Sequence, residues 1–550
     1  MRKTSKPSHG RRSPIVWLGL CASMTACSLE SSHAEIVPSA PRLPLLAAAA
    51  DAGDADAGEE RVSEIGRTRG TPGQLAGTTS WIFPDTRNGL QPNQSWFSVA
   101  GSPSGTIYAS ACDHETNSAL YRLRPGSNTL ELIGDARSAS ERANNWLPEE
   151  TAEKFHVRPL WHEGRVYIAT ADYSNQDDAY LEHRGFHWYA YDEQRRRFLD
   201  LSQGEPNGVG AQHISIFTTA IDGPRDLLYG LGSPNSNLYQ YDLAKGTTTD
   251  LGRPPELTRP YYNPGRFLWV DHTGAVYFSV GNSGPLAADE PGAPKHVLSW
   301  VPGEGWKARA DWPIGEMLRT GQRSLDGKRV YILDYPLRLY VFNEEDQSFK
   351  QLAQGVLTDQ HVSPRTKNVR VRAMNLSANE RKIYFINDSA PVNSLWEWDF
   401  ASGQPPRELT TIEAIEPQLD ARYNAFTGHD SWDNWGRFSV TGFGGEGAPV
   451  TPYVYLLRID PVRLKAALNV LPGAPVVELR RGQLHRSAEL RSELSVILEV
   501  NDAGTLSYRN VTIAAGANSA ELPAGLPNGA QLRVVPDGDT YAVPPPSRAF

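Results

Sequence analysis

The chain has 550 residues, 54 of them Lys or Arg and 63 Asp or Glu, so its formal charge is -9; it lacks the basic footprint of a nucleic-acid binder, although a local cationic pocket would survive that average. Past the first 30 residues no apolar run approaches the roughly 20 residues a spanning helix needs, which excludes a membrane-spanning helix from the body. The 48 Gly and 41 Pro, spread among Tyr, Val and Leu runs, predict many short strands and argue against a helical bundle.

The first segment, residues 1–26, reads as a secretory signal. Arg2, Lys3, Lys6, Arg11 and Arg12 precede a short apolar run from Ile15 to Ala26, too short for a stop-transfer helix. Met24-Thr25-Ala26-Cys27 resembles the lipobox of bacterial lipoproteins, with Met where Leu is usual. The resemblance implies cleavage before Cys27, lipidation of its thiol, and an exported protein anchored in the cell envelope, at the outer membrane or cell surface. Cys21 follows the bulky Leu20 and departs from the pattern, and the alternative for Cys27 is an ordinary signal-peptide cysteine with cleavage after Ala34. The Arg11-Arg12 pair is faintly similar to a twin-arginine signal, but the residues after it do not fit. With Cys27 acylated, Cys112 is the sole thiol of the body and no intrachain disulfide forms there. Residues 27–78 contain LLAAAADAGDADAGEE and GRTRGTPGQLAG. That stretch lacks the bulky apolar groups that offset ordering entropy and reads as a low-complexity tether.

Residues 79–471 carry a repeat. A Gly or polar turn is followed by a β run centred on an aromatic residue at Tyr108, Tyr167, Tyr229, Tyr277, Tyr331, Tyr384 and Phe438, at spacings of 48 to 62 residues. After each comes an aromatic-rich strand, a polar turn and another strand, from LYRLRPGSNTLELIG to VYLLRIDPVRLKAALNV, and a short β run precedes each anchor. Four strands repeated seven times predict an all-β fold, a seven-bladed β-propeller. The repeats resemble the degenerate bacterial propellers related to streptogramin lyases and quinoprotein-like repeats, and lack the Gly-His and Trp-Asp pattern of WD40 repeats. That resemblance specifies the fold far better than an activity. Residues 472–550 change character: RNVTIAAGANSAEL resembles strands of bacterial Ig-like or Calx-β modules, which implies a small C-terminal β-sandwich. Its alternative is an extension packed on the propeller.

In a propeller the innermost strands start at the mouth of the central channel. Near those starts the sequence places His156 and Arg158, His213, Arg266, Arg319, Arg370 and Arg372, and His429. A mouth so lined would focus field on an anion, Arg gripping an oxyanion and His moving a proton. The alternative is a polar channel lining whose arginines pair between blades. Asp222, Asp271, Asp326 and Asp433 open the turns between first and second strands and read as Asx-type turn residues, not metal ligands. Neighbouring loops add Asp113, His114, the long polar insertion 171–187, Asn282, Asp334 and Asp388. In NAFTGHDSWDNWGRFSV, residues 424–440, strand alternation separates His429 from Asp430, and Trp432 and Trp435 read as blade packing. There is no metal-ligand spacing, cofactor motif or nucleophile elbow; Gly101-Ser102-Pro103-Ser104-Gly105 lies in a β turn.

Three functions fit. The first is a tethered propeller binding an extracellular or envelope ligand, an anionic glycan or a protein partner, at the channel mouth and the loops of blades two and four. The second is an enzyme: the mouth is similar in residue type to that of uronate-cleaving polysaccharide lyases, which neutralise a carboxylate with Arg and take a proton with His or Tyr. The third is an envelope scaffold.

Overall fold

In a blade stacked between two others, both faces of the central strands are covered, so those strands should be apolar on both sides, whereas the outermost strand meets water. The computed structural model has this pattern. Ile107–Cys112, the second strand of blade one, is buried at all six positions, while the fourth strand of blade three, Thr247–Asp250, is largely exposed. The structure describes residues 66–86, 89–171, 183–259, 262–281, 292–334, 337–356, 371–389, 392–419, 425–433, 436–443, 454–468, 476–480, 483–486, 494–502, 505–514, 517, 519–527, 530–535 and 541–543.

Seven antiparallel blades follow one another along the chain. Their innermost strands are Val99–Gly101, Leu160–His162, Ser215–Asp222, Trp269–Val270, Leu318–Arg323, Val371–Leu376 and Ala425–His429. The anchors Tyr108, Tyr167, Tyr229, Tyr277, Tyr331, Tyr384 and Phe438 all lie in second strands and are 0–6% exposed. Four of the tyrosine hydroxyls donate to carboxylates. Tyr331 reaches Glu380 in the next blade at 2.7 Å and Tyr108 reaches Glu193 likewise, whereas Tyr277 and Tyr384 bond Asp271 and Glu397 of their own blades, each at 2.9 Å. The repeated aromatic is thus both packing and hydrogen bonding, which is why Tyr occupies six of its seven positions.

The ring closes differently from the expectation. The strand Val454–Ile459 ends at Asp460, and Pro461–Ala467 is helical, so the chain after blade seven does not supply a fourth strand. Thr78–Ile82 supplies it, pairing with Tyr455–Ile459 from Thr78↔Ile459 to Ile82↔Tyr455. Thr71–Pro72 pairs with Thr79 and Ser80, and Arg67–Arg69 adds a fifth strand to blade one against Thr129–Glu131. Residues 67–78, expected in the tether, therefore belong to the folded ring. Trp81 fixes the seam: it is 1% exposed, its indole N–H donates to Asn128 O at 3.1 Å, and the Arg458 guanidinium lies 4.7 Å over its ring. The helix Pro461–Ala467 is held by Lys465, 1% exposed, whose ammonium donates to Glu397 at 2.7 Å and to Tyr384 OH at 3.1 Å.

All seven innermost strands share one irregularity. In blades three, five and six the register skips Phe217, Arg319 and Arg372, which lie between paired neighbours. In blades one, two, four and seven two more residues are spent on the inner strand than on its partner, around Phe97, Val157-Arg158, Arg266-Phe267 and Gly428-Asp430. A bulge re-aims a side chain that the pleat would otherwise direct into the blade. Seven bulges at one depth gather such residues around the axis.

Beyond the ring, Val476–Arg480, Gln483–Arg486, Ser519–Glu521 and Tyr541–Val543 form one sheet, and Leu494–Asp502, Thr505–Ile513 and Gln531–Val535 another. Val496, Leu498, Val500, Val511 and Ile513 form an apolar cluster there. Among the described residues no helix is long and apolar enough to cross a membrane.

Candidate functional site

Phe97 is the hub of the bulge level. Its φ is +52°, a conformation costly for a bulky residue, on the order of 1–3 kcal/mol. The ring is 3% exposed. The guanidinium carbons of Arg319, Arg266 and Arg372 lie 4.7, 5.6 and 5.6 Å from its centroid. Arg266 also lies 4.7 Å over Phe217, and Arg158 lies 5.9 Å over Phe267. Gly321 leaves room for this layer, because a Cβ there would meet the Phe267 ring at 2.5 Å.

Three guanidinium carbons this near one ring centre are at most about 11 Å apart, where each pair repels by at least roughly 1.5 kcal/mol at an effective dielectric of 20. Contact with the aromatic faces offsets part of that cost. Asp430 supplies an opposing charge. Burial raises its pKa and Arg158 lowers it, while burial lowers the pKa of Arg158 and Asp430 sustains it. Asp430 is set in place by the loop after the last inner strand: its φ is +48°, its carbonyl accepts from Gly101 N–H at 2.9 Å, and Ser431 N–H donates to Asn375 Oδ1 at 2.9 Å.

His156 is buried beside this group, its ring 4.6 Å from Phe217, 5.1 Å from Phe97 and stacked on Trp96 at 5.9 Å. Its Nδ1 is buried without a hydrogen-bond partner. Burial first, then the charges of Arg266, Lys154 and Arg319, hold its pKa well below the ordinary histidine value, so the ring is neutral at neutral pH. Nearer the strand start, buried Lys154 contacts His114 Nε2 at 3.0 Å, and burial together with the Lys154 charge lowers the His114 pKa to about 4. The cavity at the bulge level is lined by Phe97, His156, Val157, Arg158, Phe217, Thr218, Thr219, Arg266 and Phe267, and at about 10 Å³ it has room for about one water. A sugar ring does not fit in it.

Of the residues singled out in the sequence, His156, Arg158, Arg266, Arg319 and Arg372 come together. His213 does not: its φ is +59° and its Nδ1 lies 2.6 Å from His183 O, at the base of the long polar insertion. Strand alternation fails for it because a left-handed residue precedes the bulged strand. Arg370 and Cys27 lie outside the described residues, as do Asn282 and most of the insertion 171–187. The backbone of His429 runs parallel to the neighbouring inner strand, opposite Met374, and its side chain is outside the described set. Sequence reasoning missed Phe97, Phe217, Phe267, Lys154 and Asp430. The available signal was partial: Phe267 directly follows the column residue Arg266, whereas Phe97 and Phe217 have no cationic neighbour in sequence.

The turn aspartates divide. Asp271 accepts from Thr273 and Ala275 N–H at 2.8 and 3.0 Å, Asp326 from Lys328 N–H at 3.0 Å, and Asp433 from Arg437 N–H at 3.1 Å. Asp222 instead pairs with Arg225 at 2.9 Å and caps no turn backbone. Asp113 binds the backbone of Glu115, Thr116 and Asn117, and Asp334 that of Gly315 and Arg338; both build loops. Trp432 packs on Phe438 and donates to Leu376 O at 2.9 Å, joining blades six and seven. His162 Nε2 sits 2.9 Å from Asp226 of the next blade with Glu163 adjacent, a cross-blade bond that no local sequence motif marks.

No protein-family model and no curated protein sequence matches the chain. Solved structures similar to it include an oligogalacturonate lyase in complex with manganese (9% identity, TM-score 0.41, covering 71% of this chain and 96% of that one). Others are YCF48 bound to D1 peptide (10%, 0.39, 70% and 96%) and the RRP9 WD40 repeats (10%, 0.40, 67% and 96%). The architecture rests on the chain's own strand pairing, which makes it a seven-bladed β-propeller.

Proposed function

We propose that this protein is an exported propeller, held at a membrane through an acylated Cys27, that captures an extracellular or envelope ligand by an anionic group at the channel mouth. The ligand class is an anionic glycan or an acidic protein partner. The observation that supports this reading most is the convergence of Arg158, Arg266, Arg319 and Arg372 on one aromatic layer beside a histidine kept neutral. Such a group creates a positive potential within a net-acidic molecule and steers anions along the axis. Uronate cleavage at His156 would require a sugar ring beside it, and the cavity there holds about one water.

Binding of the full-length protein to uronic-acid polymers and acidic envelope proteins, followed against salt, tests the ligand. Affinity should fall steeply between about 0.05 and 0.5 M salt as the Debye length shortens, and Arg319→Gln should weaken it at least tenfold. Salt-insensitive binding that survives Arg319→Gln would remove the channel from the reading. The anchor is tested by fractionation: Cys27→Ser should move the protein from membrane to soluble fraction, and an unchanged distribution would refute acylation there.

A further inference from the structure

We infer that His162, Glu163 and Asp226 form a binding site for one divalent transition-metal ion of the zinc class, which clips blade two to blade three on the face opposite the channel mouth. The site is separate from the anion capture proposed above and does not depend on it.

Topology gives the first argument. Glu163 and Gly164 join the first and second strands of blade two, and Asp226 follows the 3-10 turn Gly223–Arg225 between the first and second strands of blade three. Stacking of the two blades sets these turns side by side, and one donor atom from each of His162, Glu163 and Asp226 lies within 4.8 Å of the others. A tetrahedral ion with bonds of about 2.0–2.2 Å takes donors roughly 3.3–3.6 Å apart. His162 Nε2 and Asp226, at 2.9 Å, are near that spacing, and the exposed Glu163 side chain is free to close the remainder. Three protein ligands leave a fourth position for water.

Charge gives the second argument. Among the described residues no Lys or Arg pairs with Glu163 or Asp226, whereas neighbouring turn carboxylates are neutralised: Asp192 by Arg165, Asp222 by Arg225 and Glu344 by Arg323. Two carboxylates beside one imidazole, with no basic partner, are the donor set that a divalent cation completes, and the imidazole favours zinc over calcium or magnesium. Packing gives the third. A Cβ on Gly223 would lie 3.2 Å from His162 Cε1 and 3.3 Å from Nδ1. Gly223 is not left-handed, so the ring and not the turn accounts for the glycine, which seats blade three on that edge of the imidazole and leaves Nε2 facing Asp226. Other histidine–carboxylate contacts lack this arrangement. His187 meets Asp200 and Glu150 through opposite ring nitrogens, Glu344 beside His272 is held by Arg323, and His296 faces the single carboxylate of Glu256.

The test is calorimetric titration of the full-length protein, stripped with EDTA and desalted, with Zn²⁺ and separately with Ca²⁺. One Zn²⁺ per chain at micromolar or tighter affinity is expected, with Ca²⁺ at least tenfold weaker. His162→Gln should weaken Zn²⁺ binding at least tenfold. Glu163→Gln, at an exposed turn position that the fold tolerates, should weaken it several-fold and keeps the test decisive if His162→Gln fails to fold. His296→Gln, which removes a histidine facing one carboxylate, should leave it unchanged. Co²⁺ in place of Zn²⁺ should give visible absorption bands of a four-coordinate site, lost in His162→Gln. Zn²⁺ affinity no better than millimolar, affinity unchanged in either the His162 or the Glu163 variant, or Ca²⁺ binding as tight as Zn²⁺ would overturn the site.

Discussion

His187 is the residue whose protonation the fold commits most firmly. It is 2% exposed between two buried carboxylates, with Nδ1 3.0 Å from Asp200 and Nε2 2.7 Å from Glu150. Burial disfavours its charge, but the hydrogen bonds and charges of Asp200 and Glu150 prevail and raise its pKa to about 9. A folded pKa above the unfolded one means stability that is complete below about pH 6.5 and is lost as pH rises through about 9, on the order of 3 kcal/mol in all. Denaturant unfolding at pH 6, 7.5 and 9.5 should show this decline, and His187→Gln should be less stable at pH 6 with a flatter profile above it. An identical slope in the variant would assign the titration elsewhere. At this level the sequence was partly legible. Arg158, Arg266, Arg319 and Arg372 could be aligned by repeat position, but Phe97 and Asp430 could not, because a left-handed residue and a bulge break the alternation on which side-chain direction is read.

Strand Thr78–Ile82 carries the closure of the ring, and Trp81 carries the strand. Removing its buried indole should cost about 3–5 kcal/mol, so Trp81→Ala is expected to lower the denaturation midpoint strongly while leaving the β content of the folded protein unchanged. A loss below about 1 kcal/mol would show that the seam does not limit stability. The helix Pro461–Ala467 makes a second staple. Lys465→Met leaves Glu397 buried with only part of its pairing, Arg407 at 2.6 Å and Tyr384, and should cost about 3 kcal/mol or more. Lys465→Met combined with Glu397→Gln should recover part of that loss in thermal unfolding. Additive losses would mean the two residues act independently. The repeat predicted two further strands after every anchor, four in each blade, and it failed once, at blade seven, where an amphipathic run VRLKAAL had the periodicity of a helix and the strand partner lay some 370 residues earlier in the chain.

The whole ring turns a modest local composition into a directed field. No blade holds more than one of the clustered cations Arg158, Arg266, Arg319 and Arg372, and the chain is acidic overall; closure of seven blades brings them to one axis. The salt dependence expected of ligand capture belongs to this level, since it arises from the summed potential and would persist in weakened form after loss of any single arginine. Arg158→Gln, facing Asp430, should therefore reduce affinity less than Arg319→Gln, and equal losses would indicate that the summed field alone sets affinity.

By itself the sequence determined the class of fold and the count of blades. Short β runs with buried aromatics at a constant period can satisfy their backbone and bury both faces only by stacking radially, so a local pattern repeated seven times suffices. It also placed Arg158, Arg266, Arg319 and Arg372 near the inner-strand starts, where His213 does not join them. Only the tertiary structure decided how the ring closes, which residues the bulges aim inward, and that aromatic rings share the axis with the arginines. Those outcomes depend on pairings between residues hundreds of positions apart and on left-handed backbone at Phe97 and Asp430, neither of which leaves a periodic trace in the chain.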